Sequence, residues 1–201
     1  MGFAYGQRHA VEMTQRPLVL AALRALDPAW AARLGDDTVI DIGSFGALAE
    51  SALTADRAIV IHANGLPSTF VPGRNLVFLT YAAALAYRRG LGTLIGGMCE
   101  TDFVGYPDCR RTTLDAMQSA LSLGLDARLA VVTPLMTLTK AETWALADQI
   151  GGEALTTLIM EETHTCYQGD RTHRHAWGYG CSDCPACELR AAGWARWRGS
   201  Q

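Results

Sequence analysis

No stretch of this 201-residue sequence is apolar for long enough to cross a bilayer. The longest such run, Leu76 to Tyr87, falls well short of the roughly 20 residues a spanning helix needs, and it ends on Arg88 and Arg89. The N-terminus lacks a basic region followed by an apolar core, so no secretory signal is expected and the cytoplasm is the expected compartment. Charge is sparse and nearly balanced, with 17 Lys and Arg against 20 Asp and Glu and a net charge of −3. No basic stripe or acidic tail stands out, which removes nucleic acid and membrane surfaces from the expected partners. Internal repeats and low-complexity tracts are also absent. What remains is a globular chain, 49% apolar, long enough for one full-sized core or for a domain with a small appendage.

Cysteine is concentrated at one end. Cys166, Cys181, Cys184 and Cys187 are spaced C-x14-C-x2-C-x2-C, a set that can surround a single tetrahedral ion. Thiolate ligands favour zinc, and four protein ligands make a structural rather than a catalytic site. Three alternatives stand beside this reading. Iron–sulfur runs normally continue C-x3-C-P, whereas here Pro185 follows the middle cysteine and the fourth thiol lies upstream. Disulfides require an oxidising compartment. Unmetallated core thiols fit poorly in a segment holding Gly180, Ser182, Asp183 and Pro185. His164, His173 and His175 lie near enough in sequence to substitute as ligands. Cys99 and Cys109 read as buried structural thiols.

Residues 9 to 34 carry a helical apolar pattern that Pro17 and Pro28 should kink or divide. Thr38 to Ile42 reads as a strand, Phe45 to Leu53 as a helix, and Thr54 to Phe70 as a loop. Helices are then expected over 75–89, 112–123 and 140–150, with strands over 93–97 and 128–132. Short apolar strands alternating with helices predict an α/β fold, a parallel sheet with helices on both faces. Ligands of such sheets bind beyond the carboxyl ends of the strands. That places interest on the loops at 96–111 and 133–140.

The first of these loops holds Glu100, Asp102, Phe103, Tyr106, Asp108, Cys109, Arg110 and Arg111. A solvated charged loop explains the charges, while the aromatics favour recognition of a polar heterocycle. In the second, Thr139 and Glu142 form a capping box that fixes a helix start. Lys140 in that first turn opposes the helix dipole, which suggests a phosphate or carboxylate site beside free N–H groups; a solvent-facing lysine is the alternative. Arg74, entering a helix after the Val71-Pro72-Gly73 turn, can grip an anion bidentately. Gly43-Ser44-Phe45-Gly46 lacks the glycine-lysine continuation of a phosphate loop.

Taken together, Tyr5-Gly6-Gln7-Arg8-His9, Ser51 to Thr54, Thr69 to Asn75, Glu100 to Phe103, Gly105 to Arg110, Thr133 to Met136, Lys140 to Trp144, Thr165 to Tyr167 and Cys181-x2-Cys184-Pro185-x-Cys187-x-Leu189-Arg190-x2-Gly193 resemble the 7-cyano-7-deazaguanine synthases. The resemblance runs nearly end to end. It implies a Rossmann-like domain of the ATP-pyrophosphatase kind over 1–160 and a zinc-binding segment over 161–201. The implied activity is ATP-dependent conversion of 7-carboxy-7-deazaguanine and ammonia to the nitrile, through an adenylated carboxylate and an amide, in queuosine biosynthesis and so in tRNA modification. It implies catalytic Lys140, Arg74 and Asp108, the first two on phosphate or adenylate. Glu100, Asp102 and Arg110 would join Asp108 around the deazaguanine, and Tyr5 and Arg8 would line the cleft. One structural zinc would sit on the four tail cysteines, with ATP as co-substrate; a homodimer is compatible.

The family's S-G-G-x-D-S pyrophosphate loop has no counterpart in this sequence, whose Met1 to Gln7 matches the strand after that loop's helix. The expectation is therefore a domain that is N-terminally incomplete, with adenylation depending on the missing unit. The alternative function drawn from the same absence is a non-catalytic, zinc-stabilised deazaguanine-binding or interaction module.

Overall fold

The computed structural model describes residues 1–49, 51–100 and 106–200. β1 (Gly2–Ala4) leads into α1 (Val11–Leu26) and α2 (Pro28–Ala31). The 9–34 pattern divides at Pro28, as expected. Asp27 leaves helical geometry there, and its carboxylate accepts from the N–H groups of Ala29 and Trp30, capping α2. Pro17 sits inside α1 without ending it. β2 (Val39–Asp41) pairs parallel with β1, Phe3 opposite Ile40. After α3 (Gly43–Ala49) residues 51–73 are irregular, apart from a bridge between Ile61 and Pro67, and lead into α4 (Arg74–Arg88).

β3 (Thr93–Ile95), α5 (Arg111–Gly124) and β4 (Ala130–Val132) follow, and β3 pairs parallel with β4, Leu94 opposite Val131. The sequence predicts one parallel sheet covered on both faces; the described residues form two separate parallel pairs instead. α4 is what unites them. Val77 and Phe78 pack with Tyr5 and Ile42 over the first pair, Phe78 stacking on Phe3 at 4.1 Å. Leu79 meets Leu94, Leu114 and Val131 over the second pair, and Ala83 and Ala86 pack there with Leu129. A bridging helix thus holds both pairs in one body without joining their hydrogen-bond ladders, which would require strands about 4.8 Å apart. The opposite face is covered in part: Gly2 is buried with Arg16 of α1 against it, while Val39 and Ile95 are 49% and 76% exposed.

Leu114 is fully buried at the centre of the second cluster. Leu114→Ala is expected to cost about 2–5 kcal/mol, read from a denaturant midpoint; a loss below about 1 kcal/mol would mean the cluster is not tightly packed.

α6 (Lys140–Glu162) begins at the expected capping box. Thr139 Oγ1 accepts from the Glu142 N–H at 3.2 Å, and the Glu142 carboxylate accepts from the Thr139 N–H at 2.7 Å. The predicted end at Ile150 corresponds to a kink: Gly152 has φ 59° and ψ −156°, which glycine alone adopts at little cost, and the helix then resumes to Glu162. A hairpin of β5 (Arg174–His175) and β6 (Gly178–Tyr179) precedes α7 (Pro185–Gly199). α7 packs along α6 through Trp144, whose ring lies 4.9 Å from Trp194 and 5.9 Å from Trp197. At the crossing, a Cβ on Gly193 would fall 2.4 Å from the Cβ of Lys140, so only glycine permits this approach. Among the described residues no helix is long and apolar enough to cross a membrane.

Candidate metal centre and adjoining polar site

The four tail cysteines converge although 21 positions of sequence separate the first from the last. Cys166 follows the end of α6, Cys181 follows the β5–β6 hairpin, Cys184 caps α7 and Cys187 lies in its first turn. Their sulfurs all lie within 4.8 Å of one another, with Cys181 Sγ and Cys187 Sγ 3.9 Å apart. A tetrahedral ion with metal–sulfur bonds of about 2.3 Å would place its ligands about 3.8 Å apart. The set therefore fits one ion and is too open for disulfides, in keeping with six free thiols. Cys166, Cys184 and Cys187 are buried among Trp177, Ala186 and Trp194. Two of the three nearby histidines are engaged elsewhere: His173 Nδ1 lies 2.6 Å from Asp170 Oδ2, and His175 Nε2 lies 2.9 Å from the Gly180 carbonyl while its ring stacks on Trp177. His164 has no hydrogen-bond partner among the described residues on either ring nitrogen, but it is not part of the four-sulfur cluster.

Burial raises the thiol of Cys181 to about 12 and raises that of Cys187 as well. Burial also opposes ionisation of Cys166, yet surrounding N–H groups, including that of Gln168 at 3.4 Å, bring it below the ordinary thiol value. At neutral pH a metal must displace the protons of Cys181 and Cys187, so affinity rises with pH and metal is lost in acid. Each displaced proton contributes up to about tenfold in affinity per pH unit. Chelator competition between pH 6 and pH 8 is expected to show at least about a tenfold gain on the alkaline side; a flat profile would contradict thiolate ligation.

A second polar group lies behind the metal set. Arg74, at the first turn of α4, donates from Nη1 to the Tyr5 hydroxyl at 3.2 Å and stands over the Tyr5 ring. Burial works against the Arg74 charge, but Tyr5, Tyr106 and Asp108 around it more than offset this, and its pKa is raised. Asp108 is buried; Oδ2 accepts from the Asn75 N–H at 3.0 Å, while Oδ1 and Arg74 Nε have no partner among the described residues. Tyr106 bonds Thr69 at 2.7 Å, stacks on Phe70 at 5.7 Å and reaches the Tyr167 hydroxyl at 3.4 Å. Tyr167 adjoins Cys166, so the polar group and the metal centre are continuous.

Tyr5, Arg74 and Asp108 are thus brought together. Arg8 lies apart from them, ion-paired to Asp56 at 2.6 Å, on a cavity of about 510 Å³ shared with His9, Arg57, Gln168, Asp183 and Cys184. The two expected strand-end loops do meet: the Glu100 N–H donates to the Met136 carbonyl at 2.9 Å, and the Glu100 carboxylate accepts from the Arg111 N–H. Glu100 and Arg110 are exposed, and Lys140 lies half-buried under α7. Asp102, with its neighbour Phe103, lies outside the described residues.

The sequence matches the family described as queuosine biosynthesis protein QueC over residues 1–198. The chain belongs to this family. Among its relatives, the 7-cyano-7-deazaguanine synthase of Maricaulis maris is 68% identical over 200 residues, covering all of this chain and 82% of that protein. The proteins of the same name from Caulobacter vibrioides and Bordetella avium are 67% and 61% identical over 197 residues, each covering 98% of this chain and 81% of the relative.

Within this QueC chain, reading the residues alone missed three contributors: Thr69 and Asn75, which hold Tyr106 and Asp108, and Tyr167, which links the two centres. Each lies in a segment that carried the resemblance, but none has a reactive group that would single it out. One further signal was available: Lys140 is the only lysine in the sequence.

Proposed function

We propose that this chain is an ATP-dependent ligase that converts 7-carboxy-7-deazaguanine and ammonia into 7-cyano-7-deazaguanine. Membership of the QueC family, with relatives of that name at 61–68% identity, carries this reading. The chemistry follows from the poor electrophilicity of a carboxylate. Its oxygen attacks the α-phosphorus of ATP and pyrophosphate leaves. Ammonia then attacks the acyl carbon, AMP departs with the carboxyl oxygen, and an amide remains. A second activation puts AMP on the amide oxygen; loss of that AMP and of the nitrogen's protons leaves the nitrile.

In this reading the two parallel strand pairs with α4 across them are parts of one Rossmann-like sheet, and residues 161–201 form its zinc-binding segment. Arg74 and Lys140 contact phosphate or adenylate, Lys140 adding its charge to the N–H groups at the start of α6. Asp108 accepts from the ring N–H groups of the deazaguanine through Oδ1, which has no partner among the described residues, with Glu100, Asp102 and Arg110 around it. Tyr5 backs Arg74, and Arg8 lines the adjoining cavity. Zinc is the ion that four converging thiolates favour; it holds the tail as a wall of the site and takes no chemical part. The enzyme works in the cytoplasm on small molecules, and nucleic acid is not a substrate.

The test is mass-spectrometric detection of nitrile from ATP, ammonium and 7-carboxy-7-deazaguanine. Binding of the deazaguanine without pyrophosphate release would favour a non-catalytic module instead.

A further inference from the structure

Arg190, on the third residue after Cys187 in α7, is 7% exposed. Its guanidinium donates to four acceptors: from Nε to the Trp177 carbonyl at 2.9 Å, from Nη1 to Thr163 Oγ1 at 3.0 Å and Thr165 Oγ1 at 2.8 Å, and from Nη2 to the Ile159 carbonyl at 2.9 Å. It also lies over the Trp144 ring, 5.5 Å from the centroid. Every one of these partners is neutral. Among the described residues no carboxylate pairs with Arg190, and a second cation, Arg171, lies close enough to oppose it.

A buried cation without a counter-charge is costly, and hydrogen bonds to neutral groups only partly offset the loss of water. The groups on its side of the tail that become anionic when a metal binds are the cysteines. Cys187 and Arg190 are at i and i+3, on one face of α7. Trp177, which accepts from Nε, packs directly on the cysteine cluster. A divalent ion on four thiolates leaves the centre doubly negative, an equally poor charge to bury alone.

We propose that Arg190 is a positioning residue that neutralises the metal–tetrathiolate centre, so that metal occupancy and the docking of the tail on α6 are one coupled event. Two of these four hydrogen bonds tie the charge to the end of α6, at Ile159 and Thr163. Loss of the metal removes the charge that balances Arg190, loosening the joint between α6, the hairpin and α7. The inference rests on the metal reading of the cysteines but not on the ligase reading.

The experiment measures zinc affinity by chelator competition for the wild type, Arg190→Lys and Arg190→Gln. Lysine keeps the charge and loses most of the donors; glutamine keeps donors and loses the charge. A variant that does not fold with zinc present counts as having lost it. Arg190→Gln is expected to weaken zinc by about 10–100-fold, the usual range for groups behind the ligands, and Arg190→Lys by less than about threefold. Equal affinity for Gln and wild type, or a loss in Lys as large as in Gln, would overturn the charge-balancing role. A wild type that binds no zinc would remove the metal reading itself, a distinct outcome.

Discussion

Cys184→Ala is expected to release the metal, leaving below about a tenth of an ion per chain, and to unfold the tail. Cys184 is 2% exposed, belongs to the four-sulfur cluster and stands at the N-cap position of α7. Structural zinc contributes apparent binding energies of about 10–16 kcal/mol in small zinc-dependent folds. The rest of the tail offers little to replace that. Its cluster of buried residues is mostly the cysteines with Trp177 and Ala186, and the hairpin strands are two residues each. Loss should spread to α6, because Trp144 packs on two tryptophans of α7 and Arg190 bonds the end of α6. Hydrogen exchange of the Ala186–Trp197 amides should accelerate by at least about 10³-fold while Leu114 and Val131 remain protected. No metal in the unaltered protein and unchanged exchange in the variant would show that the cysteines pack as ordinary core residues.

Asp108→Asn is expected to lower kcat/KM for 7-carboxy-7-deazaguanine by about 10²-fold, the worth of one hydrogen bond to a charged group at about 1.5–3 kcal/mol. An asparagine carbonyl can still accept from the Asn75 N–H, so the fold survives and the unfolding temperature should shift by only a few degrees. What changes is Oδ1: an acceptor with no partner among the described residues becomes an amide donor, which in the proposed site would meet the donors of the ring. KM for ATP should stay within about threefold. If kcat/KM were equally unaffected, Asp108 would be a purely structural group that terminates the loop against α4. Arg74→Ala makes a poor substitute probe, since it also removes the support of Tyr5.

Much of this was legible in the sequence. The cysteine spacing carried ligand type and count, and the folded chain brings those sulfurs within one ion's reach. The capping box at Thr139 fixed the start of α6 to the residue, because it is a local hydrogen-bond device that needs no tertiary partner. Arg74 and Asp108 were read as separate motifs, and α4 joins them. What could not be read was relational. The division into two strand pairs depends on which strands lie side by side, and three-residue strands carry too little pattern to say. α7 escaped because its buried residues include Gly193, Arg190 and Cys187, so no stripe of large apolar side chains marks it. The second half of α6 was hidden by Gly151 and Gly152, which read as a terminus although the chain resumes its helix.

The most direct measurement is nitrile production by the zinc-loaded protein from ATP, ammonium and 7-carboxy-7-deazaguanine, with pyrophosphate followed in parallel. It is made on the chain as it stands and on the chain with a strand–S-G-G-x-D-S loop–helix unit placed ahead of Met1. The expected result is a product of nitrile mass, accompanied by pyrophosphate for each activation and abolished when ammonium is withheld. Absence of nitrile from both forms, with the tail metal in place, would contradict the ligase assignment.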